Sequence, residues 1–350
     1  MGPHGRQLET LMDLNLTDEH DLLRETVRGL CQRHADLTVV RQLEDDPVGY
    51  PEKLWTAMDD TGLLDLTELS MLDAAIVYEE FGRSLAPTPH FASSVISAGI
   101  LGTPGSTRVT VPAWLEPSRG FGEKGITLDA ARLTGTKRHV PYAAAADELL
   151  VLARDASGDV VYVRVDPKAD GVTLIQQNTV GSDTQYRVDF DGVAGEVIER
   201  RGWPVFDEVM HDGLILLAAQ AVGGARYALD ITVQYAKDRQ QFDKPLGAFQ
   251  ALAHYLADAV TTVDGAETLV WEAAWARDNG RSIARLAPMA KLFATQTFRD
   301  VTAMAQQVFG GVGFTVDYDI QLYFRRAKQL QISWWDTRYL EELVAADVLD

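Results

Sequence analysis

The chain has 350 residues, enough for two or three domains or one large multilayer unit. Its 32 Lys and Arg against 51 Asp and Glu leave a net charge of −19. That argues against nucleic acid as a partner, because phosphate recognition needs clustered cations. A hydrophobic share of 46% with 28 Gly and 13 Pro excludes a disordered or collagen-like chain, and a lone cysteine, Cys31, excludes an intrachain disulfide and fits a reducing compartment.

The first residues, Met1 to Leu16, show no basic-then-apolar leader pattern. Met1-Gly2 opens like a myristoylation site, but Arg6 stands where Ser or Thr is needed. Gly2-Pro3-His4-Gly5 reads as a flexible end or a cloning remnant. No run reaches the ~20 apolar residues of a bilayer span. No membrane association and a cytoplasmic location are therefore expected.

Residues 1–106 read as a helical domain. Thr17 can cap a helix whose first turn holds Asp18 and Glu19, with Leu22, Leu23, Val27, Leu30 and Cys31 at helical spacing. Pro51 suits a helix start ahead of Leu54 and Met58. Ser70 can cap a third helix that carries Leu72, Ile76, Val77 and Phe81, with Gly82 near its end. Residues 107–200 change to short strand-like runs at 109–111, 125–128, 149–152 and 160–165. Ser157-Gly158-Asp159 suits a hairpin and Asp191-Gly192 a turn, so a small antiparallel β-domain is expected.

Residues 201–350 return to helix in three long stripes. The first runs from Leu214 through Leu217, Ala218, Ala221, Val222, Ala225 and Leu229 to Val233; the second takes Phe249, Leu252, Ala253, Leu256, Val260 and Val263. The third takes Ile283, Leu286, Ala290, Ala294, Thr297, Val301, Met304 and Val308. Each implies a helix of roughly 25–30 residues, and together they suggest a four-helix bundle. The fold class read from the chain is α+β: helical domain, β-domain, helical bundle. No internal repeat and no metal-binding cluster is identified.

Two junctions interrupt the bundle. In the first, Tyr235 to Gln250, a helix ends in basic residues and turns at Pro245 and Gly247. Arg239 there can hold a phosphate by two parallel bonds, or it can simply complement the helix dipole. In the second, Gln306-Gln307-Val308-Phe309 runs into Gly310-Gly311-Val312-Gly313. Those glycines either admit a flat ligand and its anion to free amides or merely stop the helix. This is not a dinucleotide fingerprint, since it follows a helix and not a strand.

Taken in order, Arg239 with Phe242, then Phe249-Gln250, then Gln307 with Gly310-Gly311 and Gly313-Phe314, the pattern resembles the acyl-CoA dehydrogenase family. The resemblance spans the helix–strand–helix division and the segment 322–328. It implies FAD as cofactor and an acyl-CoA thioester as substrate, with a carboxylate base taking the α-proton while the β-hydrogen leaves as hydride. It also implies a dimer or tetramer in which one subunit holds the adenosine and diphosphate end of its neighbour's flavin. The positions that match this donated set are Arg239, Gln241, Phe242, Gln250, Gln307, Val308, Phe309, Gly310 and Gly311. Asp243 departs from it, standing where glycine is common, with Lys244 beside it.

The set that a subunit turns on its own flavin has changed. The loop that reads Glu-Pro-x-x-Gly-Ser-Asp in the family is Glu116-Pro117-Ser118-Arg119-Gly120-Phe121-Gly122 here. Arg138-His139-Val140-Pro141 replaces a Trp-Ile-Thr type strand, and Pro141 has no amide proton to offer. The family's glutamate base falls on Trp334, within Ser333-Trp334-Trp335-Asp336. The alternative base position, on the first long helix, falls on Gly213, with Asp212 and Glu208 near it.

The resemblance therefore implies a heteromer like the α2β2 acyl-CoA dehydrogenases of actinobacterial steroid side-chain breakdown, in which this chain is the shorter subunit and a longer one carries the base. Electron-transferring flavoprotein is the expected acceptor. Two alternatives stay open. One is a self-sufficient homotetramer with a relocated base, for which Asp212 is the candidate. The other is an oxidase or monooxygenase of the same fold.

Overall fold

The computed structural model describes residues 15–118, 120–181 and 183–349, with the backbone alone of Arg201. The segment Gly2–Gly5 and Arg119 lie outside the described residues. Helix α1, Asp18–His34, opens on a capping box in which Thr17 and His20 exchange bonds. Leu22 of its apolar stripe is 65% exposed, Leu23 packs partly against the core, and Val27, Leu30 and Cys31 are buried in it. Helices α2, Leu37–Gln42, and α3, Glu52–Asp60, follow, with Pro51 at the cap of α3.

Helix α4, Met71–Ser84, is capped by Ser70 and Asp73. Two of its remaining free amides, those of Met71 and Leu72, donate to Asp278, the last residue of the helix Gln250–Asp278, at 2.7 and 3.2 Å. Gly82 lies near the end of this helix, as expected, and the helix closes on Leu85 in the left-handed region, φ 52°. A Cβ at Gly82 would sit 1.8 Å from the Gln220 carbonyl oxygen, and one at Gly223 would sit 1.8 Å from that of Glu79. The two glycines let α4 cross the long helix α6, Trp203–Asp238, backbone against backbone. A π-helical segment, Phe91–Ser97, and the short α5, Ala98–Leu101, complete the helical layer.

The middle sheet has eight strands, β1 (Thr110–Ala113) to β8 (Glu196–Arg201), in the order β6-β7-β3-β2-β4-β5-β8, with β6 (Val172–Gln177) at one edge and β1 also on β4. It is mixed and not purely antiparallel. β1 and β2 (Ile126–Asp129) both run parallel to β4 (Glu148–Arg154), which the long excursion between them permits. The hairpin at 155–159 joins β4 to β5 (Val160–Val165) as expected. Asp191-Gly192 is no turn. It lies inside β7 (Gln185–Ala194), where the register against β3 (Arg132–Pro141) slips between Leu133 and Gly135, and Gly192 supplies φ +60°.

Helix α6 is the spine of the last third, 36 residues long and so about 54 Å. It packs on α7 (Gln250–Asp278), α8 (Leu286–Phe309) and α9 (Ile320–Ile332), and α10 (Thr337–Leu349) closes onto α8. By length and composition α6 could cross a membrane, contrary to the sequence expectation, but its apolar window is 72% buried within the bundle. Of the stripe read on α7, Leu256 packs partly against the core and Val263 is wholly buried. Tyr255 is 54% exposed, and Val260 remains 40% exposed.

Candidate functional site

The first junction folds into a projecting hairpin. Gln240–Gln241 and Lys244–Pro245 pair antiparallel around Phe242 and Asp243, whose φ values are +54° and +62°. Two consecutive positive angles in a two-residue loop describe a type I′ turn, the geometry that suits glycine, asparagine and aspartate. Asp243 is thus tolerated where glycine is usual. Phe242 is 86% exposed. Arg239 closes α6 in extended conformation and its carbonyl accepts from the Leu246 amide, leaving its guanidinium without a partner among the described residues. Lys244 Nζ lies 4.2 Å over the Phe249 ring.

The second junction sits against the first. Tyr235, one turn before Arg239, stacks on Phe309 with centroids 4.2 Å apart, so the ends of α6 and α8 meet. Beyond Phe309, Gly310 takes φ 66°, ψ −143°, a conformation open to glycine alone, and no atom lies within 4 Å of a Cβ built at Gly310 or Gly311. Gln307 and Gln250 are exposed, while Val308 and Phe309 turn into the core. The structure therefore brings the two motifs to one end of the bundle. The Tyr235–Phe309 stack that does this was not singled out from the sequence, although the aromatic one turn before Arg239 was visible.

A cleft of about 360 Å³ lies between the sheet and α9, lined by Trp114, His139, Pro141, Thr179, Gln329 and Trp334 among others. His139 sits at φ +54°; its amide donates to Gln177 Oε1 and its Nδ1 contacts Gln185 Oε1, both at 2.9 Å. Trp334 stacks on Trp114 at 6.0 Å and meets the edge of Phe91 at 4.9 Å. A Cβ at Gly213 would reach Phe91 Cζ at 3.0 Å. Positions 213 and 334, far apart in sequence, thus converge on the same phenyl ring.

The nearby carboxylates are placed elsewhere. Asp212 receives both Nε–H and Nη2–H of Arg277, at 2.5 and 2.9 Å, and lines a separate cleft with Leu69 and Val209. Glu208 is exposed. Asp336 caps α10 by accepting from the Tyr339 amide at 3.0 Å.

Two wholly buried lysines hold the cleft walls. Lys137 Nζ donates to the Trp114 carbonyl at 3.0 Å and to Glu116 Oε1 at 2.9 Å. Lys291 Nζ donates to the carbonyls of Ser333 and Trp335, at 2.7 and 2.6 Å, on either side of Trp334. Both Trp334 and Trp335 are left-handed, φ 52° and 73°, so the ammonium fastens a turn that side chains ordinarily avoid. Burial pulls Lys137 down to about 8 and Lys291 to about 7. Sequence reading passed over Lys291, because a lysine on an apolar helix stripe gives no sign of which carbonyls it will meet.

Family models agree with this geometry. The acyl-CoA dehydrogenase N-terminal domain matches residues 17–108 and the C-terminal domain matches residues 200–345. The chain belongs to the acyl-CoA dehydrogenase family, whose members are FAD-dependent oxidoreductases acting on CH–CH bonds of acyl-CoA. Acyl-CoA dehydrogenase IpdE2 of Mycolicibacterium smegmatis is 32% identical, over 89% of this chain and 93% of its own length. Among solved structures, the Tcur3481-Tcur3483 steroid ACAD superposes with TM-score 0.84 at 29% identity, covering 95% of this chain and 99% of that one. The ChsE4-ChsE5 complex from Mycobacterium tuberculosis gives 0.86 at 25% identity, covering 97% and 99%.

Proposed function

We propose that this chain is the non-catalytic subunit of a heteromeric acyl-CoA dehydrogenase, lending its hairpin arm to the flavin of a longer partner subunit. The observation that carries this reading is Phe91, whose ring fills the point where both family base positions, 213 and 334, converge. Neither position carries a carboxylate, and Asp212, the relocated-base candidate, is already engaged by Arg277.

The exposed arm fits the adenosine and diphosphate end of FAD. Arg239 offers a planar two-pronged donor, and Lys244 offsets the Asp243 carboxylate. Gln241, Phe242, Gln250 and Gln307 flank them, and the Cβ-free backbone at Gly310 and Gly311 leaves room for a flat group. The chain's own cleft fits a flavin ring poorly: Pro141 has no amide proton, and the His139 amide already serves Gln177. Bound FAD supplies the hydride acceptor for desaturation of the acyl group. The uncovered apolar residues on the first half of α7 supply surface for a partner. The names of the steroid ACAD and ChsE4-ChsE5 relatives support a steroid-type acyl-CoA as substrate and a second kind of subunit as partner. Electron-transferring flavoprotein is the acceptor in this reading, and the compartment is the cytoplasm.

Co-expression with a longer homologue, followed by counting FAD per assembly, tests it. The expected result is a colourless, inactive single chain and a yellow, active assembly with one FAD for each copy of this chain. A purified single chain that is fully flavinylated and turns over acyl-CoA overturns the proposal.

A further inference from the structure

We infer that the chamber behind Trp334 is a carboxylate-binding site organised by Arg326. The apolar face of α9, with Ile320, Leu322, Tyr323 and Ala327, is packed into the bundle, and Arg326 is carried inward with it to 6% exposure. Among the described residues its Nε and Nη2 have no hydrogen-bond partner. Its neighbour Arg325, by contrast, is bonded to Gln321 and Glu44. A guanidinium does not shed its proton, so a buried, unmet one is among the costliest groups a fold can hold. No described residue meets it, which points to a ligand.

The unpartnered pair matters. Nε–H and Nη2–H form one edge of the guanidinium, spaced to grip both oxygens of a carboxylate. Arg326 lines a chamber of about 70 Å³, room for a head group of a few atoms but for no chain; its Nε and Nη2 edge is shut off from the empty chamber, so a carboxylate reaches it only as the guanidinium turns inward. Its other walls include Tyr78, Phe91, Leu217 and Trp334. Gln329, also buried, lines the chamber as well, with its unpartnered Oε1 against Gly181. The one carboxylate in the lining, Asp183, makes no ion pair with Arg326; it accepts from Gln185 Nε2 at 2.8 Å and from Thr179 Oγ1 at 3.4 Å. His90, the remaining titratable base, takes no part as a cation. Its Nε2 is spent on the Leu63 carbonyl and its Nδ1 on the Tyr78 hydroxyl, each at 2.8 Å.

The chamber shares Pro141, Asp183, Gln329, Ser333 and Trp334 with the 360 Å³ cleft. The head group can therefore belong to a small free carboxylate or to the end of a longer apolar molecule lying in the cleft. The chemistry at Arg326 is the same for both. This site does not depend on the exposed arm or on the reading drawn from it.

The test uses the full chain with acetate, octanoate and octan-1-ol as probes, followed by thermal midpoint, calorimetry and crystal soaks. Octanoate is expected to raise the midpoint and to show its carboxylate on Nε and Nη2 of Arg326. Octan-1-ol, with the same tail and no charge, should bind at least about tenfold more weakly. Arg326→Met should lose octanoate binding at least about tenfold while the unliganded protein becomes no less stable, since an unmet charge has gone. Arg326→Lys, which keeps the charge and loses the fork, should fall between. Octanoate well ahead of acetate assigns the site to the end of a longer ligand; equal affinity assigns it to a free small anion, and both uphold the proposal. It is overturned if neither carboxylate prefers the wild type over Arg326→Met, or if soaked crystals show only water on Nε and Nη2. Should Arg326→Met fail to fold, equal binding of octanoate and octan-1-ol to the wild type overturns it. Arg239→Ala, which disables the arm, should leave octanoate binding unchanged.

Discussion

The ring of Tyr235 lies nearly parallel to that of Phe309, their planes 19° apart, and this stack ties the last turn of α6 to the last turn of α8. Through it the hairpin that carries Arg239 and the glycine turn that follows Phe309 become one surface. Phe309→Ala should cost about 3 kcal/mol by urea denaturation, as expected for truncating a buried phenyl ring. The same variant, assembled with its partner, should retain less FAD after gel filtration. Loss of stability with full FAD retention would separate the stack from cofactor binding.

Arg239 bears on binding and not on folding. It is exposed, so Arg239→Ala should shift the thermal midpoint negligibly. In the heteromeric assembly it should weaken FAD binding about ten- to a hundredfold, the worth of a charged two-pronged contact. Arg239→Lys should restore only part of this, because an ammonium has no fork. Fluorescence titration of the apo-assembly with FAD measures both.

Asp212→Asn removes one partner of a half-exposed ion pair with Arg277. The expected loss is about 1 kcal/mol or less, with unchanged turnover of the assembly. Abolished turnover with retained FAD would instead make Asp212 the base.

At an ordinary helix position Gly→Ala is stabilising by close to 1 kcal/mol. At Gly223 the added methyl would meet the Glu79 carbonyl at 1.8 Å, between two helices that cannot separate without opening the core. Gly223→Ala should therefore leave little soluble protein, whereas Gly280→Ala, with open space around it but φ 63°, should fold with a modest loss. Soluble yield and circular dichroism decide the comparison.

Lys137 and Lys291 set a pH dependence. Both are lowered from the ordinary lysine value, to about 8 and about 7, by burial. Between those values and the ordinary one near 10.5, the unfolded chain holds protons that the folded chain has released, so stability rises with pH across that window. Below pH 7 both states are charged and the penalty is complete. Each lysine adds a slope of at most ~1.4 kcal/mol per pH unit. Lys291→Met should flatten the rise between pH 7 and 10 in urea midpoints, although it lowers stability throughout by stranding two carbonyls. Parallel curves for wild type and variant would contradict this.

Much of the architecture could be read from local chemistry. Thr17 and Ser70 are the side chains that cap helices, and each sits where its helix begins. Ser157-Gly158-Asp159 carries its own turn signal. What escaped the reading depends on contacts distant in sequence. Gly82 sits near its helix end as read, but its contact with the backbone of α6 could not be seen from the chain alone. Asp191-Gly192 has the composition of a turn, but its place opposite β3 makes it a bulge. The site divides the same way. The arm is contiguous and carries a motif, whereas Phe91, Lys291 and Arg326 acquire their roles only when helices from separate thirds of the chain are packed together.

In the reading proposed for this chain, the position of Phe91 also bears on its history. Gly213→Glu alone would set a Cβ 3.0 Å from Phe91 Cζ, so that ring must give way first. Trp334→Glu alone would take away the indole that packs on the ring and leave an anion beside its bare face. At position 213, then, the lost chemistry returns only with a second adjustment, and this protein's dependence on a companion is harder to undo than to acquire.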